Sequence, residues 1–258
     1  MMANRTAYLI AFTVLCIAAA FLLPPVPQPI EYHDFADQRH LFGIPNFFDV
    51  VSNAGFVLVG VAGLFVVLKP RTSFVYNAER WPYAIFFVGM VLTGLGSGYY
   101  HLLPDNERLF WDRLPMTIAF MSLIAAQIVD RVSVRAGLVL LLPMLLIGAA
   151  SVVYWLATER AGAGNVVPYG ILQAYSVVIL LAMAWLYPSR YTRGNDVYWV
   201  FAAYVLAKIL EALDSEVFEV AYLVSGHTLK HVAAAMAGFI VLRMLMLRRP
   251  EEHPHGLR

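Results

Sequence analysis

The sequence predicts an all-α, polytopic membrane protein: a seven-helix transmembrane core with one extra N-terminal transmembrane helix. Three observations predict it. Of 258 residues, 60% are hydrophobic and only 14% charged, where a soluble domain carries roughly 25% charged residues. The mean hydropathy is +0.68. The apolar residues also gather into runs of bilayer length, and a spanning helix needs about 20 largely apolar residues.

Eight such runs follow one another, at 7–23, 48–68, 81–101, 114–129, 136–156, 168–187, 197–213 and 226–247. The first ends at PPVPQP, whose prolines stop a helix. Arg5 and the apolar stretch behind it also suit a signal peptide, but no clear small-residue cleavage site follows. The run is read as an uncleaved transmembrane helix or signal anchor. The run 114–129 is short, and 197–213 is interrupted by charge. The chain therefore divides into an anchor with a Pro-rich linker (1–30), a seven-span core (31–248) and a polar cytoplasmic tail (249–258). The tail holds His253 and His255 and is read as a disordered end.

With alternating spans, Lys69, Arg71, Arg80, Arg131, Arg135, Arg190, Arg193, Arg248, Arg249 and Arg258 fall on one side. Glu31, Asp34, Asp37, Asp105, Glu107, Asp214, Glu216 and Glu219 fall on the other. The positive-inside rule puts both termini in the cytoplasm. Compact loops without a cleavable targeting segment fit a bacterial inner membrane. The formal net charge of +1 argues against a nucleic-acid partner. Cys16 is the single cysteine, so no intramolecular disulfide and no cysteine-based zinc site can form.

Chemistry concentrates in three places. In GHTLKH, His227 and His231 stand four residues apart, one helical turn, on one face. In GSGYYH, Ser97 and His101 have the same spacing, and Asp112 follows in WDRLPM. On the predicted topology all of them lie at one depth, near the non-cytoplasmic side. Ionisable groups inside a bilayer are costly and mark functional sites. Three histidines from two helices suit a catalytic zinc ion, which takes three protein ligands and acidifies water or polarises a carbonyl. Asp112 then fits a general base and acid, and Ser97 fits a donor to a developing oxyanion.

Each piece alone has a plainer reading. His101 suits an interfacial residue, Ser97 a donor to a carbonyl of its own helix, and Asp112 a loop acid. Other polar residues in the runs are read as structural. Asn53 suits a helix–helix hydrogen bond, and Lys208 with Glu211 an intramembrane ion pair, with Glu211 or Asp214 facing the site as the alternative. Gly94, Gly96, Gly98 and the small residues from Ala233 to Gly238 suit close helix packing.

GSGYYH, WDRLPM and SGHTLKH together resemble the alkaline ceramidase family. This family belongs to a superfamily of membrane hydrolases that also includes the adiponectin and progestin receptors. NFFDVVSN, at 46–53, resembles the start of that family's first helix, and the likeness spans about 31–247. The resemblance implies a seven-helix core with an intramembrane zinc held by His101, His227 and His231. Ser97 and Asp112 match the catalytic serine and aspartate. It implies hydrolysis of a ceramide-like lipid amide to a sphingoid base and a fatty acid. The family's eukaryotic members also carry an acidic Ca2+ segment before the first core helix. Here EYHDFADQRHLFGIPN offers Glu31, Asp34, Asp37 and Asn46, interrupted by Arg39 and His40, so calcium binding is not expected to carry over unchanged. The alternatives are a receptor-like protein with a structural or sensing metal, and a proton-coupled transporter.

Overall fold

The computed structural model describes residues 2–70, 72 and 74–251; Arg71, His253, His255 and Arg258 lie outside the described residues. Its α-helices are α1 (Met2–Leu22), α2 (Phe47–Ser52), α3 (Ala54–Leu68), α4 (Arg80–Leu102), α5 (Asn106–Arg131) and α6 (Val134–Arg160), followed by α7 (Val167–Leu186), α8 (Asp196–Ala212), α9 (Asp214–Ala221) and α10 (Gly226–Leu247). Among the described residues, seven helices are long and apolar enough to cross a membrane: α1, α2–α3 together, α4, α5, α6, α7 and α10. The chain is an all-α integral membrane protein.

Three boundaries differ from the sequence pattern, each for a local reason. The run 197–213 forms α8, but its 17 residues include Lys208 and Glu211, and it is shorter than the other seven. It is still a full member of the bundle, packed along α10. The run 114–129 lies within a 26-residue helix. Asp105 starts that helix eight residues early, its carboxylate accepting the Arg108 backbone N–H at 2.7 Å. The run 48–68 breaks at Asn53 into α2 and α3. The Asn53 amide donates to the Asp49 carbonyl at 2.7 Å, inside its own segment, and not to another helix as expected. A carbonyl one turn back is simply the nearer acceptor.

α4 sits between α3 and α5, α10 between α3 and α8, and α6 and α7 close the bundle against α5. Phe56, Phe87, Met90, Leu123 and Leu242 form the core where α3, α4, α5 and α10 meet. α1 lies outside, on α7, held by Thr13–Tyr175 at 3.1 Å, Thr6–Tyr187 at 2.8 Å and the stacked rings of Phe12 and Tyr175.

The two ends of the bundle are tied differently. One end is a polar lock in which Arg190 pairs with Glu79 at 3.1 Å, Ser189 donates to Asp130, and Tyr191 donates to Glu79. The guanidinium of Arg248 lies 4.0 Å from the Tyr191 ring centre. At the other end the segment 24–46 crosses the bundle as a strap. It is tied by Val166 N–H to Val26 O at 2.8 Å, by Ala36 N–H to Asp214 at 2.9 Å, and by His33 to Tyr100 at 2.8 Å.

Candidate metal centre

His101 occupies the last turn of α4, and His227 and His231 the first two turns of α10. All three are buried, at 1%, 5% and 4% exposure. Their ring centres stand 4.9, 5.0 and 4.9 Å apart, close to an equilateral triangle. One ring nitrogen from each lies within 4.8 Å of the others, and His101 Nε2 is 3.3 Å from His227 Nε2.

This donor set fits a metal ion. Two ring nitrogens this close share either one hydrogen or one cation between them, and the third points into the same space. No carboxylate belongs to the cluster among the described residues. Buried without a counter-charge, the rings take the neutral form that binds metal.

The surroundings hold all three ligands, His231 through its ring and the other two through their backbones. Ser52 on α2 stands with Oγ 2.8 Å from His231 Nδ1, and its hydroxyl donates to the Asp49 carbonyl at 3.1 Å. With that hydrogen used, Oγ accepts from Nδ1–H. This assigns the His231 tautomer and leaves Nε2 bare for the cluster. Asp49 is fully buried, and its Oδ1 accepts the Thr228 hydroxyl at 2.6 Å. Asp49 and Ser52 on α2 therefore engage Thr228 and His231 on α10, each pair three residues apart. His227 is fixed through its backbone, its N–H donating to Asp214 at 2.7 Å at the helix start. The Ser225 hydroxyl caps α10 by accepting from Thr228 N–H at 3.1 Å. Asn46 donates its amide to the His101 carbonyl at 2.8 Å.

From the strap, Phe35 covers the cluster. Its ring centre lies 4.6 Å from that of His101 and 4.3 Å from that of His227, and Phe35 itself is buried.

Ser97 and Asp112 stand close together across the α4–α5 contact, the Ser97 hydroxyl beside the Asp112 carboxylate. Both line a cavity of about 420 Å³ together with His231, a volume within the roughly 300–1,000 Å³ of small-molecule sites. Phe86, Met90, Leu123 and Leu180 line the same cavity. Phe86 and Ser97 are eleven residues apart on α4, so the cavity runs for roughly 16 Å along that helix. The structure thus brings Ser97, Asp112 and His231 to one apolar space; His101 and His227 join His231 in the cluster but do not line the cavity.

Several neighbours had no clear signal in the sequence. Ser52, Thr228 and Phe35 act through contacts between distant segments. Asp49 had one signal, a carboxylate inside an apolar run. Glu211 pairs with Lys208 as expected, but also with Lys230 at 2.7 Å. Asp214 neither lines the cavity nor joins the cluster; it caps α10. In the 31–46 segment both Asp37 oxygens are taken by Arg39, at 2.7 and 2.6 Å, and the Asn46 amide nitrogen is spent on His101.

Comparison with family models and with curated proteins finds no match.

Proposed function

We propose that the protein is a zinc-dependent intramembrane amidase that hydrolyses a lipid amide of the ceramide type to an amine and a fatty acid. The observation that carries the reading is the placement of Ser97 and Asp112 side by side on the wall of the apolar cavity that His231 also lines. Hydrolysis needs a proton acceptor, an oxyanion donor and room for an acyl chain, and these stand together there.

His101, His227 and His231 would hold the ion. When bound, zinc supplies a Lewis acid that polarises an amide carbonyl and acidifies water. Asp112 takes the proton from the attacking water. That proton changes how the two side chains meet. Once protonated, Asp112 donates to Ser97, and the Ser97 O–H is free to turn toward the carbonyl oxygen as negative charge builds there. Asp112 then returns its proton to the leaving nitrogen as the C–N bond breaks. The balance is amide plus water to carboxylic acid plus amine. Phe86, Met90, Leu123 and Leu180 would receive the acyl chain, and the strap with Phe35 excludes bulk water from the histidines.

On the positive-inside rule the site belongs to the non-cytoplasmic side of a bacterial inner membrane, with both termini in the cytoplasm. The test is metal analysis and turnover of detergent-purified protein on a panel of lipid amides, ceramide among them. The reading expects about one zinc per chain, lost in His227→Ala, and turnover lost in Asp112→Asn with zinc retained. Zinc-loaded wild type that cleaves no member of the panel would overturn it and favour a metal-bearing receptor.

A further inference from the structure

Three cations line the cavity, Arg113, Lys208 and Lys230, against two carboxylates, Asp112 and Glu211. Glu211 is shared between Lys208 and Lys230, and Asp112 feels Lys230 and Arg113 through space without an ion pair to either. One positive charge is left over, and Arg113 is the cation without a direct ion-pair partner. Among the described residues it has no ion pair, although it is only 4% exposed.

Its surroundings spread the charge without neutralising it. The guanidinium carbon lies 4.3 Å from the Trp155 ring centre, 4.9 Å from that of Tyr169 and 5.3 Å from that of Tyr32. Nη2 donates to the neutral Gln28 side chain at 2.6 Å, and Nη1 has no partner. A buried cation without a direct ion-pair partner is costly, and ring faces return only part of that cost. If the side chain served only to tie Gln28 of the strap to α5, a neutral donor would suffice and no nitrogen would be orphaned. Further donors stand beside it on the cavity wall. The Tyr169 hydroxyl oxygen accepts from Gln173 at 2.8 Å, which leaves its O–H free to donate. Tyr32 lines the same wall.

We propose that Arg113 is a specificity-determining residue that receives an anionic group, a carboxylate or a phosphate, on the polar end of the lipid amide. Arg113 and Asp112 line the same cavity and the Arg113 charge is felt at Asp112, so an anion held by Arg113 would lie near the amide that Asp112 serves. The substrate class is then an anionic lipid amide, an N-acyl amino acid or a phosphorylated ceramide, ahead of a neutral one. A guanidinium suits either anion because its N–H groups match two oxygens at once. This rests on reading the cavity as the amide site, and a binding readout separates the two claims.

The experiment is equilibrium dialysis of zinc-loaded protein in uncharged detergent against two matched pairs, with hydrolysis followed in parallel. N-oleoylglycine is set against N-oleoylethanolamine, and ceramide 1-phosphate against ceramide. Wild type is expected to prefer at least one anion over its neutral counterpart by on the order of tenfold, the worth of one charged hydrogen bond. The pair that shows the preference identifies carboxylate or phosphate. Arg113→Gln should abolish the preference and leave the neutral affinities unchanged, and Arg113→Lys should keep part of it. Equal wild-type affinity within both pairs overturns the proposal. So does an equal loss for charged and neutral ligands in Arg113→Gln that still holds zinc, because that marks a structural role. Anion-selective binding with no hydrolysis of any ligand upholds Arg113 and defeats the amidase. Hydrolysis of neutral amides with no charge preference does the reverse.

Discussion

The carbonyl oxygen of Trp111 rests against the backbone of Gly96, in the space that a Cβ on residue 96 would occupy. Pro115 explains why that oxygen is available. It stands four residues after Trp111 within α5 and has no N–H to return a helical hydrogen bond. The exposed carbonyl and the bare glycine let α4 and α5 close together, which is what brings Ser97 to Asp112. Gly96→Ala should therefore lower stability by about 1–3 kcal/mol, the usual cost of overpacking, and reduce turnover further by parting Ser97 from Asp112. Gly98→Ala is the matched control: its nearest new neighbour is Val50 O at 3.9 Å. It should be neutral or slightly stabilising through helix propensity. Thermal melts and turnover of the two variants in detergent check this pair, and equal behaviour would show that the contact at Gly96 matters no more than any other.

The bond between Ser52 Oγ and His231 Nδ1 makes a prediction about metal affinity. Partners that fix a ligand's tautomer typically account for 10–100-fold in metal binding. Ser52→Ala should weaken zinc by about that factor while the protein stays folded, and Ser52→Thr should restore most of it. His231→Ala, which removes the ligand itself, should lose the metal outright. Competition with a chromophoric chelator measures all three. A Ser52→Ala protein with wild-type zinc affinity would mean that the hydroxyl does not orient the ring.

Ser97 and Asp112 should behave as one unit. Asp112→Asn removes the proton acceptor and should lower kcat by about 10²–10⁴-fold, with zinc content unchanged. Ser97→Ala should cost about 10²–10³-fold, as loss of an oxyanion donor does elsewhere. Because the Ser97 hydroxyl turns to the substrate only when Asp112 is protonated, the double variant should be scarcely slower than Asp112→Asn alone. Additive losses would separate the two roles and sink the coupled step.

What could be read from the chain and what could not divides along sequence distance. His227 with His231, and Ser97 with His101, are one-turn spacings, so the helix period alone reveals them. That His101 would meet the other two followed from counting spans, because a helix end has a definite side of the bilayer. The α2–α10 clip had no such route. Asp49 and Thr228 are 179 residues apart, as are Ser52 and His231, and nothing in an apolar run announces which serine will face a histidine. The strap was legible only as Pro-rich and acidic sequence. Phe35 lies in a stretch without period, and its place over the histidines comes from ties at Val26, His33 and Ala36 to other parts of the fold. α5 was misjudged at its start because the apolar run begins only at Leu114, after the charged stretch 105–113, whereas Asp105 caps a helix that starts at Asn106.

The position of Phe35 yields the last prediction. Its ring packs on His101 and His227 and is itself buried, so it closes the cluster on the strap side. Removing the whole ring would cost about 3–5 kcal/mol and confuse closure with folding. Phe35→Leu keeps an apolar side chain but takes away the flat face over the two imidazoles. Water and chelator then reach the ligands through the strap, and zinc should leave faster on dilution into EDTA. The rate of metal loss should rise while the resting zinc content stays near one per chain, because the three histidines and their partners on α2 and α10 are untouched. Wild-type release kinetics in Phe35→Leu would place the exit route along the cavity instead. In that case Met90→Trp, which narrows the cavity that Met90 lines, should be the variant that slows release.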